Sequence, residues 1–389
     1  MSVEKAFPAP GRRVELDIVR GALLVLMALT HLPTRLSVYS NQPFGFVSAA
    51  EGFVFISAYL VGSTYSRKLL ERGGDYVRDK LWKRAGKLYV AHIGLLLFLL
   101  TIVAAIAVIS GRPQLRNHLA VYFASPVWAS LAGPLLLYQP PLLDILPMYI
   151  VFLALTPLLL QAAVKRGWWP ILTVSALLWL FAQLDGRRLL YNKVSAVVGL
   201  PLPLEAFGAF DWFGWQLVWI AGIWLGARHV RRAPAARAHL RARLPALVAA
   251  AAAAAGFLFW RYHGGLGLDP ASAGVDKWHL GRLRILNFAA LAYVVNHAVL
   301  PYLALLRLRV LGLLAMLGRA SLAVFTTHIP FCVLSRGLIV NDATPLTTSQ
   351  EAFVLVVTLG AMLFVAWRAG LRLRPVGLGH QPTSTAQAA

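Results

Sequence analysis

The sequence predicts an all-α polytopic membrane protein, with about ten transmembrane helices in one bundle and both termini in the cytoplasm. Of its 389 residues, 59% are hydrophobic and 13% are charged, whereas soluble proteins average roughly 45–50% apolar and 25% charged residues. The apolar residues form repeated runs of about 17–25 residues, the length that an α-helix needs to cross the hydrocarbon core. The sequence lacks the ~10-residue alternating segments of a transmembrane barrel.

The ten predicted spans are separated by loops of unequal charge. They cover residues 16–33, 45–65, 88–110, 142–164, 167–184, 213–228, 244–261, 285–305, 319–339 and 350–367. With the N-terminus inside, the inner segments hold 25 of the 37 lysine and arginine residues, the bias of cytoplasmic loops. The formal net charge of +22 therefore reflects the membrane topology, and the inner basic residues should also attract anionic lipid headgroups. We expect no nucleic-acid partner.

The spans form a single domain. We divide the chain into a cytoplasmic tail over 1–15, a transmembrane domain over 16–368 and a cytoplasmic tail over 369–389, whose composition predicts disorder. The pattern GIWLG at 222–226 is typical of closely packed membrane helices. Cys332 is the only cysteine, and no His, Asp or Glu pair has a metal-ligand spacing, so we expect no metal site.

The first span, DIVRGALLVLMALTHLP, carries three of the few ionisable groups inside the predicted spans. Such groups are expensive in a membrane and are functional candidates by default. Arg20 and His31 are 11 residues apart, which is about three turns and ~16 Å of rise. Both lie on one helix face with Asp17, so this face is predicted to line a polar path.

The second span places Glu51 about six residues from its start, or ~9 Å deep. We expect this carboxylate to lie beside His31, where it would hold the imidazole tautomer and raise its basicity, as a general base requires. The alternative is that Glu51 and Arg20 are buried partners that fix helix packing.

Four further residues are candidates for binding the substrate: Asp144, Tyr149, Trp215 and His328. Asp144 begins the fourth span, where it could orient a hydroxyl or simply be solvated. Trp215 could stack on a sugar ring, although membrane interfaces are rich in such aromatic residues. His328 lies near mid-depth beside two threonines, and a packing histidine is an equally good interpretation.

With these residues identified, the chain resembles acyltransferase family 3. ELDIVRGALLVLMALTHLP is similar to the first-span signature of that family, a basic residue and a histidine separated by ten positions. SAAEGFVFISAYLVG resembles the second-span signature of its OpgC group, the succinyltransferases of osmoregulated periplasmic glucans. WKRAGKLYVAH, DILPMYIVFLALTP and LGRASLAVFTTH also match that group, so the similarity runs from about 13 to 368. Ala58 departs from it, where the family usually has glycine.

The resemblance implies an O-acyltransferase of the bacterial inner membrane, with no tightly bound cofactor. Its donor would be a cytoplasmic acyl-coenzyme A, with succinyl the expected acyl group, and its acceptor a hydroxyl of a periplasmic glucan. His31 corresponds to the catalytic histidine of the family and Arg20 to its required basic residue. The inner basic cluster that includes Arg78, Lys83, Arg84 and Lys87 is then a plausible binding surface for the coenzyme A phosphates.

Three other functions remain open at this stage. One is a structural or regulatory membrane protein, in which Arg20, His31 and Glu51 would contribute to packing alone. Another is an O-acetyltransferase acting on a surface polysaccharide, whose donor would carry the same coenzyme A group. A transporter or flippase would also place polar residues on spanning helices, but it would move its substrate without covalent change.

Overall fold

The structure, a computed structural model, describes residues 13–231, 240–263, 274–303, 306, 308–339 and 346–369. Most of the predicted tails 1–15 and 369–389 lie outside the described residues, as does part of the basic segment between 228 and 243. Within the described ranges every regular element is a helix, and the one β feature is an isolated bridge between Phe44 and Val47.

The helices are α1 (Val14–His31), α2 (Leu36–Ser40), α3 (Ala49–Phe98), α4 (Ala104–Ser110), α5 (Pro113–His118), α6 (Ala120–Ala124), α7 (Pro126–Ala132), α8 (Ile145–Arg166), α9 (Trp169–Gln183), α10 (Gly186–Val198), α11 (Trp212–Arg231), α12 (Leu240–His263), α13 (Arg282–Val294), α14 (Leu300–Leu303), α15 (Arg309–Arg319), α16 (Ser321–Leu338) and α17 (Thr348–Arg368). Short π-helical turns at Leu99–Val103 and Val295–Val299 continue α3 into α4 and α13 into α14, and a 3₁₀ turn covers Leu204–Phe207.

Most of the predicted spans coincide with a helix to within a few residues at their ends, but the predicted spans 45–65 and 88–110 lie within one continuous helical segment, Ala49–Ser110. By length and composition alone, five of the described helical segments qualify as membrane spans, or seven if each of two bent pairs forms one span. The bent pairs are α9 with α10, at 75°, and α15 with α16, at 91°. The chain is thus an all-helical membrane protein, whereas the number ten and the location of the termini stay predictions.

A glycine divides α3 between the predicted second and third spans. Gly73 has φ +81° and ψ 176°, values outside the helical range. This left-handed φ is readily accessible only to glycine, so the residue allows α3 to bend. The helix after Gly73 buries Val77, Leu81, Ala85 and Leu88 on one face.

Glycines also set the distances between the central helices. Helix α11 packs along α3, where a Cβ on Gly226 would collide with the Tyr59 carbonyl oxygen and one on Gly222 would press on Ala58. Helix α1 packs along α15, where a Cβ on Gly318 would collide with the Asp17 carbonyl oxygen. The packing role predicted for GIWLG is confirmed. It also holds α3, which carries Glu51, in a fixed position.

Candidate active site

Helices α1 and α16 bring two histidines together at the end of the bundle where α1 ends. The rings of His31 and His328 stack, with centroids 5.9 Å apart and planes at 8°. His328 is fully buried and His31 partly exposed. The His31 Nδ1 atom is buried and has no hydrogen-bond partner among the described residues, which leaves Nε2 as the nitrogen that can reach a substrate.

Positive charge surrounds His31. Arg336 Nε donates a hydrogen bond to the His31 carbonyl oxygen at 3.0 Å, which satisfies one of the orphan carbonyls at the end of α1. The groups whose electrostatic interaction reaches the imidazole are His328, Lys277 and Arg336. Each of them is cationic or becomes so on protonation, so the imidazole lies in a positive potential.

Arg20 and Asp17 lie about 16 and 21 Å along α1 from His31. Arg20 is buried, donates from Nη2 to Ser321 Oγ at 2.5 Å and lies 5.8 Å from the Phe53 ring centroid. Asp17 is also buried, with Oδ2 3.8 Å from Arg319 Nε. The predicted common face of Asp17 and Arg20 is therefore turned into the protein.

Glu51 has a different partner from the one predicted. It is the third residue of α3, and its Oε2 accepts hydrogen bonds from the Ser48 backbone N at 3.1 Å and from Ser48 Oγ at 2.5 Å. Its Oε1 accepts from Arg284 Nε, and both side chains of this ion pair are buried. The capping geometry and Arg284 thus occupy both oxygens. Among the described contacts Glu51 makes none with His31. These contacts therefore do not support the expected role of Glu51 in orienting the His31 imidazole.

Residues 274–281, called the 274–281 loop below, bring a lysine to the site. Lys277 Nζ lies 4.8 Å from the Trp278 ring centroid and 5.8 Å from that of Phe210. Its charge interacts with Glu51, Asp144 and Arg284 as well as with His31. Burial lowers the pKa of the Lys277 amine below its usual range. No carboxylate lies within 4.0 Å of this amine in the part of the chain that the structure describes.

A histidine–aspartate pair closes the same loop. Asp276 Oδ2 accepts hydrogen bonds from the His279 backbone N at 2.6 Å and from its Nδ1 at 2.9 Å. The hydrogen bond and the charge of Asp276 raise the pKa of His279 in spite of burial. Burial raises the pKa of Asp276, but its interactions with His279 outweigh burial and hold that pKa below its usual value. Gln183 Nε2 donates to the His279 carbonyl oxygen at 2.8 Å, which ties the loop to α9.

The remaining substrate-binding candidates are buried. Asp144 precedes α8 and accepts a hydrogen bond from the Ala209 backbone N at 3.3 Å. Tyr149 packs edge-on against Trp219, with centroids 4.9 Å apart. Trp215 is fully buried, and its Nε1 donates to the carbonyl oxygens of Lys277, at 3.1 Å, and Trp278, at 3.2 Å. Trp215 therefore positions the 274–281 loop and offers no open face for a sugar.

The predicted donor-binding residues lie on α3 beyond Gly73. Lys83, Arg84 and Lys87 share one helix face with Lys80, because their spacing is i+3, i+4 and i+7. Lys83 forms a surface ion pair with Asp79 at 3.1 Å. Arg78 pairs with Asp75 at 2.9 Å and lies on another side of the helix. The stripe of Lys80, Lys83, Arg84 and Lys87 is called the basic stripe below.

Sequence reasoning missed three cations of the site: Lys277, Arg284 and Arg336. A signal existed for Arg336, because it lies inside the predicted span 319–339. Arg284 directly precedes the predicted span 285–305, so a shift of one residue would have marked it as a membrane cation. Lys277 sits in a loop sequence without any distinguishing pattern.

In the described residues no group of three or more His, Cys, Asp or Glu side chains could hold a metal ion.

Comparison with known protein families assigns the chain to a family. Neither the comparison with characterised proteins nor that with solved structures gives a match. A family model described as OpgC protein matches residues 12–373, which is nearly the whole chain and includes α1 to α17. The chain therefore belongs to the OpgC protein family.

Proposed function

We propose that this chain is an O-acyltransferase of the bacterial inner membrane that transfers a succinyl group from cytoplasmic succinyl-coenzyme A to a hydroxyl of a periplasmic glucan. Membership in the OpgC family implies an acyltransferase acting on glucans. The donor, the direction of transfer and the choice of succinyl are part of the proposal. So are ten spans, cytoplasmic termini and a place within acyltransferase family 3.

The observation that carries the proposal is the environment of His31. Its imidazole stacks on the ring of His328, and its backbone carbonyl accepts a hydrogen bond from Arg336. A buried Nδ1 and a partly exposed side chain direct a single nitrogen toward a substrate. An oriented imidazole with one available nitrogen suits general base catalysis.

The bonds and protons of the proposed reaction are balanced by the two substrates and this base. His31 Nε2 takes the proton of the glucan hydroxyl while its oxygen forms a bond to the thioester carbonyl carbon. The carbon–sulfur bond of the tetrahedral intermediate then breaks, and the coenzyme A thiolate takes the proton back from His31. The products are the glucan ester and free coenzyme A.

The rest of the chain supports binding of the donor. The basic stripe lies in the part of α3 that follows the bend at Gly73, where it suits the coenzyme A phosphates. Arg20 would line the route of the pantetheine arm between that end and His31. Asp17 and Glu51, through Arg319 and Arg284, hold helices in place and do not touch the reacting atoms.

The test uses purified protein in liposomes, with labelled succinyl-coenzyme A on one side and a glucan on the other. We expect covalent label on the glucan in the wild type and its loss in His31→Ala. The exposed His263, at the end of α12, provides the matched control: His263→Ala should retain transfer.

Other outcomes would point to the other functions. Transfer from acetyl-coenzyme A but not from succinyl-coenzyme A would indicate an O-acetyltransferase. Movement of labelled substrate across the membrane without covalent change would indicate a transporter or flippase, and would overturn the proposal.

A further inference from the structure

Lys277 is a cation at the candidate active site that no described carboxylate neutralises at contact distance. The two carboxylates that its charge interacts with have other direct partners. Glu51 is paired with Arg284, and Asp144 accepts a hydrogen bond from the Ala209 backbone. The lysine amine thus has no carboxylate at contact distance among the described residues, and its charge acts on the His31 imidazole.

The fold fixes the position of this lysine. Trp215 Nε1 donates to the carbonyl oxygens of Lys277 and Trp278. Next to them, the backbone N of Asp211 donates to the Trp278 carbonyl oxygen at 3.0 Å. The aromatic rings of Trp278 and Phe210 contact the lysine cation, an arrangement that stabilises an ammonium group without neutralising it.

The positive charge of Lys277 is unfavourable for proton uptake by His31 unless an anion binds at the site. A general base must accept a proton, and Lys277 and Arg336 together create a positive potential at its ring. A neutral acyl group leaves that potential unopposed. An acyl group that carries its own carboxylate would cancel it and thereby favour proton uptake by His31.

We propose that Lys277 binds the free carboxylate of a dicarboxylic acyl group and so selects this acyl donor over neutral ones of the same length. This inference rests on the proposed acyl transfer and adds the residue that determines acyl specificity. Lysine suits the task because its flexible stem carries a compact charge with three donors. The acyl carbonyl then lies at His31 and the far carboxylate at Lys277.

The competing role for Lys277 is to stabilise the oxyanion that forms on the thioester carbonyl. Every acyl donor develops that charge, so its loss would slow all donors equally. A carboxylate-binding role affects the anionic donor alone. The choice of donor therefore separates the two roles.

The experiment compares succinyl-coenzyme A with butyryl-coenzyme A, whose acyl chain has the same number of carbons but ends in a methyl group. The kcat/KM for transfer to a glucan is measured for each donor with the wild type, Lys277→Met, Lys277→Arg and the control Lys193→Met. Lys193 is exposed on α10, so its variant loses the same charge away from the site. Thermal unfolding of each variant checks the fold.

We expect Lys277→Met to lower the succinyl-to-butyryl ratio of kcat/KM by about tenfold or more, the effect of one lost charge-assisted hydrogen bond. Lys277→Arg should retain most of the wild-type ratio, and Lys193→Met should leave it unchanged. An equal fall for both donors, or an unchanged ratio in a folded Lys277→Met protein, would overturn the inference and leave the proposed function standing. Absence of transfer from any donor in the wild type would overturn both.

Discussion

The imidazole of His328 lies face to face with that of His31, at 5.9 Å between centroids and 8° between planes. Because two protonated rings at this distance would repel each other, the pair works best with His328 neutral whenever His31 carries a proton. Phe325 contacts His328 edge-on, with centroids 5.1 Å apart, so the His328 ring packs against two rings. We therefore expect His328 to act as a positioning residue for His31.

Substitution of His31 and substitution of His328 are expected to lower kcat by different amounts. His31→Gln should lower kcat by about 10²–10⁴-fold, the usual contribution of a general base. His328→Phe preserves a stacked ring and should lower kcat by about tenfold or less, with KM nearly unchanged. The pH dependence of kcat distinguishes them, because the limb that reports His31 should persist in His328→Phe and vanish in His31→Gln. Equal losses in both variants would contradict the positioning role.

The buried Glu51–Arg284 ion pair predicts strong coupling between α3 and α13. Removal of one partner leaves an uncompensated buried charge, which typically costs about 3–5 kcal/mol. We expect Glu51→Leu and Arg284→Met each to destabilise the protein, and the double variant to be less destabilised than the sum of the single changes. The free energy of unfolding in detergent, measured for the four proteins, gives the coupling. Strict additivity would show that the two charges do not interact.

The α3–α11 contact predicts a large difference between two glycines. Gly226→Ala places a Cβ against the Tyr59 carbonyl oxygen, and overpacking of this kind costs about 1–3 kcal/mol. The control is Gly256→Ala in α12, where a Cβ meets nothing within 4 Å and alanine favours the helix. Thermal unfolding should show a lower Tm for Gly226→Ala and an equal or higher Tm for Gly256→Ala. The reverse order would refute the close-packing interpretation.

Features with a local period could be predicted from the sequence. The common face of Asp17 and Arg20 follows from the 3.6-residue turn, whereas its burial among other helices does not. The packing of Gly222 and Gly226 follows from small residues at i and i+4. The predicted spans fall on helices for the same reason, since apolar runs of membrane length leave few alternatives to a helix.

Contacts between distant segments could not be predicted in this way. Depth alone suggested that Glu51 would meet His31, but depth does not give the direction in which a side chain points. Arg284, 233 residues away, takes the Glu51 carboxylate. Lys277 is positioned by contacts that Trp215 and Gln183, from other helices, make with its loop. Such pairings depend on how the helices are arranged around the bundle. The residue period of a single helix gives no information on that arrangement.

The predicted topology can be checked with single cysteines. Cys332 is the only native cysteine, so Cys332→Ser provides a background free of other thiols. We expect Lys83→Cys to react with a membrane-impermeant maleimide from the cytoplasmic side and Lys193→Cys from the periplasmic side. Both positions are exposed, which makes each reaction possible. Labelling of both from the same side would refute the predicted arrangement of the spans.

The His279–Asp276 pair predicts a pH dependence of stability. The pKa of His279 is raised above 6.5, so its contribution is fully present below about pH 6.5 and is lost as pH rises through the raised pKa. The pKa of Asp276 is held below 3.8, so its contribution is present above that value and is lost as pH falls through the lowered pKa. The charged pair is therefore complete between about pH 4 and 6.5.

His279→Gln retains a hydrogen-bonding side chain but removes the positive charge, so it isolates the electrostatic contribution. The side chains of His279 and Asp276 are 41% and 34% exposed, and solvent screening limits such pairs to less than about 1 kcal/mol. We expect the Tm of His279→Gln to fall below that of the wild type by on the order of 1 °C near pH 5.5 and the gap to narrow by pH 8. His263→Gln, at an exposed histidine outside the loop, should give a curve parallel to that of the wild type. A gap that widens toward pH 8 would mean that neutral His279 is the stabilising form, contrary to the direction of its pKa shift.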